Sequence, residues 1–188
     1  MISKLLRAPS LIAWLRRMES SAWDKMLHIN TDHRRQHTQV IQGIHLDSHA
    51  FETMSHHTIR KAIHLVNPGP EDTIFDIGCS LGRTVCHSAR LPVRKVVGIE
   101  ISKELAENAL LNGRTCKGRQ AQIDIINCDA SVADYAEGTV FFLFNPFGRR
   151  TLELVLERIS RSRNPENTTR TRIVYINPKY IEVFDTFN

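Results

Sequence analysis

The chain has 188 residues, of which 41% are hydrophobic and 24% charged, and it carries a net charge of +5. That is one domain's worth of chain with enough apolar matter for a core of its own, which excludes disorder as a description of the whole. A pI of about 9.2 permits an acidic partner such as nucleic acid, but without a clustered basic patch it demands none. No apolar run approaches the ~20 residues of a membrane span, so no integral membrane association is expected. The four cysteines, Cys79, Cys86, Cys116 and Cys128, contain no C-x-x-C pair. That spacing suits neither a zinc finger nor a secreted disulfide framework and fits a reducing, cytoplasmic setting.

Residues 1 to about 47 are helical in character. Leu11, Ile12, Leu15, Met18 and Ala22 make a stripe of period 3.6, expected to face the domain or a partner. Lys4 and Arg7 followed by Ala8–Leu15 faintly resemble a secretion signal, but Pro9 interrupts the apolar region and Arg16-Arg17 cut it short. Residues 30–37 are polar. A clearer helix is expected from about Met54 to Val66, with Ile59, Ala62, Ile63 and Val66 on one face, and Asn67-Pro68-Gly69-Pro70 ends it. From residue 72 the pattern changes to short apolar runs alternating with helical segments. The expected strands are Thr73–Asp76, Lys95–Glu100, Gln122–Asn127, Val140–Phe144 and Arg172–Ile176. The expected helices are roughly Gly82–Arg90, Lys103–Asn112 and Arg149–Arg161, with Ser102 as an N-cap. Continuous apolar strands separated by helices imply a parallel sheet covered on both faces, a doubly wound α/β domain.

The stretch Asp76-Ile77-Gly78-Cys79-Ser80-Leu81-Gly82-Arg83 stands between the first strand and the next helix. Glycine lets backbone turn sharply and approach a ligand closely, and a helix start offers unpaired N–H groups. Glu100, at the end of the second strand, lies 22 residues after Gly78. That is near the ~20-residue spacing at which an acid meets a ribose hydroxyl in Rossmann-type folds. The dinucleotide pattern G-x-G-x-x-G matches here only at Gly78, since Ser80 and Arg83 take the other two places. A G-x-G-x-G pattern matches at Gly78 and Gly82. No G-x-x-x-x-G-K-[ST] is present, which excludes a phosphate-cradling P-loop.

Asp76–Gly82 resembles motif I of class I S-adenosylmethionine-dependent methyltransferases. Val97-Gly98-Ile99-Glu100-Ile101-Ser102 resembles their second motif, Asn127-Cys128-Asp129-Ala130 the acidic and small pair after strand three, and Phe144-Asn145-Pro146-Phe147 the motif after strand four. The four stand in the family's order and cover residues 50–185. There is also a weak likeness to histone-lysine methyltransferases of the Dot1 type. The resemblance implies S-adenosylmethionine as cofactor and a methyl acceptor, nitrogen or oxygen, on a small molecule, a protein or a nucleic acid. It implies that Asp76 and the backbone from Gly78 through Cys79 and Ser80 to Gly82 hold the methionine part. Glu100 would take the ribose hydroxyls, Ile101 would pack on adenine, and Asp129 would accept from its amino group with Ala130 leaving room. Asn145 would lie beside the transferable methyl and orient a substrate nitrogen or a cofactor carboxylate. Residues 1–67 would form a helical segment over the cofactor site, and 68–188 the Rossmann-like binding domain, with Thr53, His56 or His57 able to line the pocket.

His33 with His37, and His45, His49, His56 and His57 near Asp47, lack a ligand pair of zinc-like spacing, so no metal is expected. The family's sheet ends in a hairpin, but twelve residues after Ile176 span at most about 40 Å and cannot make a helix and two strands. Five parallel strands in order 3-2-1-4-5 are therefore expected, with the closing hairpin absent or the chain shortened. The fifth strand would then be an open edge, to be covered by the N-terminal helices or by a second subunit in a homodimer. A non-catalytic Rossmann-like module binding a cofactor or nucleic acid is the alternative reading.

Overall fold

A computed structural model describes residues 9–32, 54–162 and 170–187. Helix α1 (Pro9–Leu27) is followed in chain order by α2 (His56–Val66). Ser55 caps α2 by accepting from the Thr58 N–H at 3.1 Å. Asn67 closes it in the left-handed conformation at φ 47°, and a proline follows that cannot continue a helix. The remaining order is β1 (Thr73–Ile77), α3 (Arg83–Ser88), β2 (Lys95–Glu100), α4 (Lys103–Thr115), β3 (Gln122–Asn127), a single 3-10 turn Ala130–Val132, β4 (Val140–Phe144), α5 (Arg149–Ser162), β5 (Arg172–Ile176) and a 3-10 segment Ile181–Phe187.

The five strands pair in the order β3-β2-β1-β4-β5, every pair parallel. This is the expected order, and no further strand occurs among the described residues. Alternation along the strands divides the core in two. Ile74, Val96, Val140 and Phe142 face α2, α3 and α4 through Ile59, Ile63, Val85, Ala89 and Ala109. Phe75, Ile77, Val97, Ile99, Phe141 and Leu143 face α5 through Leu152, Val155, Leu156 and Ile159. Both faces of the central strands are thus dry, which is why they read as unbroken apolar runs.

At the amino edge of the sheet, Asp72 accepts from the Gly69 N–H at 2.6 Å and from the Thr139 hydroxyl at 2.7 Å, and it pairs with Arg172 at the head of β5. Arg172 also donates to the Val66 carbonyl at 3.0 Å, joining β5 to the end of α2.

Helix α1 departs from the expected stripe. Leu15 and Met18 are each 53% exposed, and Ala22 is exposed too. What α1 buries is its last turns, Asp24 and Leu27, with Trp23 half-buried against them. The helix meets the domain through its last turns, so Leu15, Met18 and Ala22 do not face the domain.

Candidate functional site

The chain runs from β1 through β2 to β3 on one side of the sheet, then returns to lay β4 on the other side of β1. Open α/β sheets bind ligands at such a reversal, outside the carboxyl ends of the strands. The loop leaving β1 there is Gly78–Gly82. It carries three residues at positive φ: Gly78 at 77°, Ser80 at 52° and Gly82 at 78°. A side chain at Gly78 would sit 2.7 Å from the Cβ of Pro146, so the loop is closed against the turn after β4. A Cβ at Gly82 would meet Ala109 at 3.1 Å, and glycine there brings α4 in close.

The donors of this loop are largely spent. The N–H groups of Gly78 and Cys79 both donate to the Ile99 carbonyl at 2.9 Å, and that of Gly82 donates to the Cys79 carbonyl at 2.8 Å. Ser80 donates to Glu100 Oε2 at 2.8 Å, and Ser102 to Oε1 of the same carboxylate at 2.9 Å. The side chain of Cys79 is buried, with its Sγ 2.8 Å from where a Cβ on Gly98 would lie. Its thiol is a packing group, and burial pushes its pKa well up, which keeps it un-ionised.

Asp76 and Glu100 end adjacent strands and are 5% and 7% exposed. Burial first, and the charge of Glu100 second, push the Asp76 carboxyl up to about 7 against the hydrogen bond from Thr84. Burial also raises Glu100, against the N–H groups of Ser102, Ser80 and Ile101 that favour its anion. No ion pair among the described residues involves either acid. Two buried acids without a cation are the chemistry of a site that receives positive charge.

Asn127 fixes the turn after β2 by donating to the Glu100 and Ile101 carbonyls at 2.8 and 2.9 Å, and Ile101 itself is half-buried. Asp129 caps the turn after β3 by accepting from the Ser131 N–H at 2.8 Å. Ala130 is half-buried, and its carbonyl accepts from the Tyr135 hydroxyl at 2.7 Å. The Cys128 N–H, donating to the Glu100 carbonyl at 3.2 Å, ties that loop to the end of β2. Asn145 follows β4 at φ 42° and is 8% exposed. Asp76, the glycine loop, Glu100 and the Asn145-Pro146 turn therefore gather at one edge, with Asp129 and Ala130 on the neighbouring loop.

Two groups were not expected. Arg83, which stands where the dinucleotide pattern has its third glycine, is 8% exposed and acts as a bolt. It donates from Nε to Thr31 Oγ1 at 2.6 Å, from Nη1 to the Met54 carbonyl at 2.8 Å and from Nη2 to the Thr31 carbonyl at 3.1 Å. Asn112 adds a second tie, donating to the Asn30 and Leu81 carbonyls at 3.0 and 2.9 Å. His56, expected at an exposed helix start or lining the pocket, is instead 1% exposed. Its Nε2 meets Asp24 at 3.0 Å and its Nδ1 meets His87 Nε2 at 2.7 Å. Because Asp24 only accepts, His56 donates to it from Nε2, and one of the two imidazoles donates to the other across the Nδ1–Nε2 contact. A spacing of 2.7 Å leaves no room for a metal between two imidazoles, which at a tetrahedral site would need roughly 3.3 Å. Trp23 stacks on His56 at 5.8 Å and carries the Arg60 guanidinium on its ring at 4.7 Å. His33, His37, His45, His49, Asp47 and Thr53 lie outside the described residues.

No family model matches the chain. An RNA methyltransferase from Salinibacter ruber, solved in complex with S-adenosyl-L-homocysteine, superposes with a TM-score of 0.54 at 24% identity, over 66% of this chain and 76% of that one. The chain has the class I methyltransferase fold. Among curated proteins, a protein-lysine N-methyltransferase of Saccharolobus islandicus is 29% identical over 87 residues, 46% of this chain and 53% of that protein. A histone-lysine N-methyltransferase of Dictyostelium discoideum, H3 lysine-79 specific, is 27% identical over 134 residues, 65% of this chain and 7% of that protein. The chain thus spans about half the length of the first of these relatives and a small part of the second. Both are lysine methyltransferases by name, in keeping with the weak Dot1-type likeness seen in the motifs.

Proposed function

We propose that the chain is an S-adenosylmethionine-dependent methyltransferase, and that its acceptor is a nitrogen nucleophile, with the amine of a protein lysine as the leading case. The observation that carries the reading is the buried, cation-free pair Asp76 and Glu100 beside a glycine loop, at the strand reversal of a methyltransferase fold. The residues suit this cofactor. Asp76 offers an acid to its ammonium. Each oxygen of Glu100 accepts one backbone N–H and keeps a lone pair for a ribose hydroxyl. Ser80 Oγ is buried without a partner, a polar atom that a ligand can satisfy. Gly78 is exposed, and its missing side chain is what lets Pro146 close on the loop.

On this reading Ile101 packs on adenine, and Asp129 accepts from its amino group with Ala130 beside it. When bound, the cofactor supplies an activated methyl carbon that a nucleophile displaces in line. The chain's share of the work is to hold donor and acceptor in register and to exclude water, which needs no acid–base triad. Lysine is favoured over other nitrogen acceptors by the names of both curated relatives.

Calorimetric titration with S-adenosylmethionine and, separately, NAD tests the cofactor, and binding of NAD alone would overturn the reading. Transfer of a radiolabelled methyl group to lysine-containing peptides tests the acceptor. Label appearing on RNA and not on peptide would reassign it.

A further inference from the structure

Basic residues that are scattered along the sequence meet on one face of the fold. Three stretches of the chain hold no acid at all: residues 53–70, 77–99 and 108–123. They include α2, the glycine loop with α3, and the second half of α4. Because the strands are parallel, α3 and α4 run back from the carboxyl edge of the sheet and end at its amino edge, away from the glycine loop. Arg90 follows α3 there, Arg114 stands in the last turn of α4, and Lys117 and Arg119 follow it. The Lys117 N–H donates to the Leu27 carbonyl at 2.8 Å, which brings the last turn of α1, with Lys25, to the same loop. Arg60 of α2 lies over the Trp23 ring of α1 at 4.7 Å.

The fold leaves these six cations without counter-charge. None has an ion-pair partner among the described residues. Lys25, Arg60, Arg114, Lys117 and Arg119 are exposed. Arg90 is half-buried, and Gly118, at φ 74°, leaves room for its guanidinium: a side chain there would lie 3.2 Å from Nε. That Nε is buried without a hydrogen-bond partner. Arg119 is steadied by the Gly113 carbonyl at 3.3 Å, which takes one of its five N–H groups. The acids of the same helices stand apart. Glu104 and Glu107 lie in the first half of α4, toward the carboxyl edge, and Asp24 is buried with His56 and Arg83. Lys95 makes the contrast. It stands at the amino edge on the α5 face of the sheet, with Asp124 at 2.8 Å and Glu137 at 3.4 Å.

Like charges gathered without counter-charge repel one another, and a polyanion relieves that repulsion. Six cations from four segments of chain are too many for one small anion. Four of them are guanidiniums, whose planar N–H forks match the oxygens of phosphate. We propose that this face is a docking surface for the phosphate backbone of a nucleic acid, held without regard to base sequence. The face lies at the opposite edge of the sheet from the glycine loop, so the inference stands apart from the cofactor reading.

The test is fluorescence anisotropy of a labelled DNA duplex and a labelled RNA strand, each about 20 nucleotides long, titrated with the full chain across a salt series without cofactor. If each of the six cations meets a phosphate, log K on the duplex falls against log salt with a slope of about −5. Arg114→Gln with Lys117→Gln removes two exposed, unpaired charges. The pair is expected to weaken binding roughly 50-fold at ~0.1 M salt and to flatten the slope by about 2. Arg90→Gln is expected to cost roughly fivefold to tenfold and about 1 in slope. Arg150→Gln with Arg161→Gln removes as much charge from α5, on the other face of the sheet, and should leave affinity within about threefold. Thermal melts establish that each variant is folded. Binding of either nucleic acid with these slopes and losses sustains the inference. Binding of neither overturns it, as does equal weakening by the two double variants, which would reduce the effect to net charge. Tighter binding to phosphatidylserine vesicles than to either nucleic acid would make the partner a membrane and also overturn it.

Discussion

Two buried polar clusters flank helix α3, and they are built on opposite terms. Asp24, His56, His87 and Arg83 are all 8% exposed or less, and their charges and hydrogens answer one another. Burial alone would raise the Asp24 carboxyl, but hydrogen bonds from His56 and Thr31 and the charge of Arg83 hold it below its ordinary value. His87 is pushed down to about 3 by burial and by its cationic neighbours, so it stays neutral. Asp76 and Glu100, on the other side, are as deeply buried and have no cation. The first cluster is complete without a ligand and serves to join the N-terminal helices to the glycine loop. The second is incomplete, and incompleteness under burial is the mark of a site.

Removing Asp24 should cost the most, because it strands His56 and Arg83. Asp24→Ala is expected to destabilise by ~4 kcal/mol in chemical denaturation, the scale of a broken buried pair. A loss below ~1 kcal/mol would show the cluster to be dispensable.

Asp76→Asn should have the reverse sign. The folded carboxyl titrates at about 7 against 3.8 unfolded, so the native state keeps a proton that the unfolded chain releases. Wild-type stability therefore falls as pH rises from about 4 to 7 and levels off above. The variant should match wild type near pH 4 and exceed it at pH 8 by on the order of 4 kcal/mol, with weaker cofactor binding. Equal melting curves at both pH values would remove the argument from uncompensated charge.

Glu100→Gln keeps the shape of the side chain and loses its charge. We expect a ~30-fold loss in S-adenosylmethionine affinity, about 2 kcal/mol, the worth of a hydrogen bond to a charged group. Unchanged affinity would take Glu100 out of the site. The smallest effect is assigned to Cys79→Ala, ~1 kcal/mol of stability for a small packing void over Gly98. Its affinity for S-adenosylmethionine should stay within about twofold. A large loss of affinity would return the Cys79 side chain to the ligand.

The incomplete cluster was legible in the sequence and the complete one was not. Asp76, Gly78 and Glu100 sit at strand ends a fixed crossover apart, so spacing along the chain carries their proximity. Asp24, His56 and His87 come from three helices, and no local rule relates positions 24, 56 and 87. The strands were legible because both sheet faces are dry and the apolar runs unbroken. Which part of α1 meets the domain could not be read from its stripe, because the contact is made by its last turns, and the role of Arg83 was hidden because its partners Thr31 and Met54 are far away in sequence. That the glycine loop spends its own N–H groups could be seen only with Ile99 and Glu100 in place.

The all-parallel sheet has a consequence for how the chain reaches its native state. No two neighbouring strands can meet as a hairpin, and β1 must wait for β2 on one side and for β4, more than sixty residues later, on the other. The loop-closure cost of such pairings precedes their reward, which places this topology among slow folders for its length. β5 is the last strand in the chain and an edge of the sheet, paired with β4 alone, so the chain must be present through Ile176 before the five-stranded order can close.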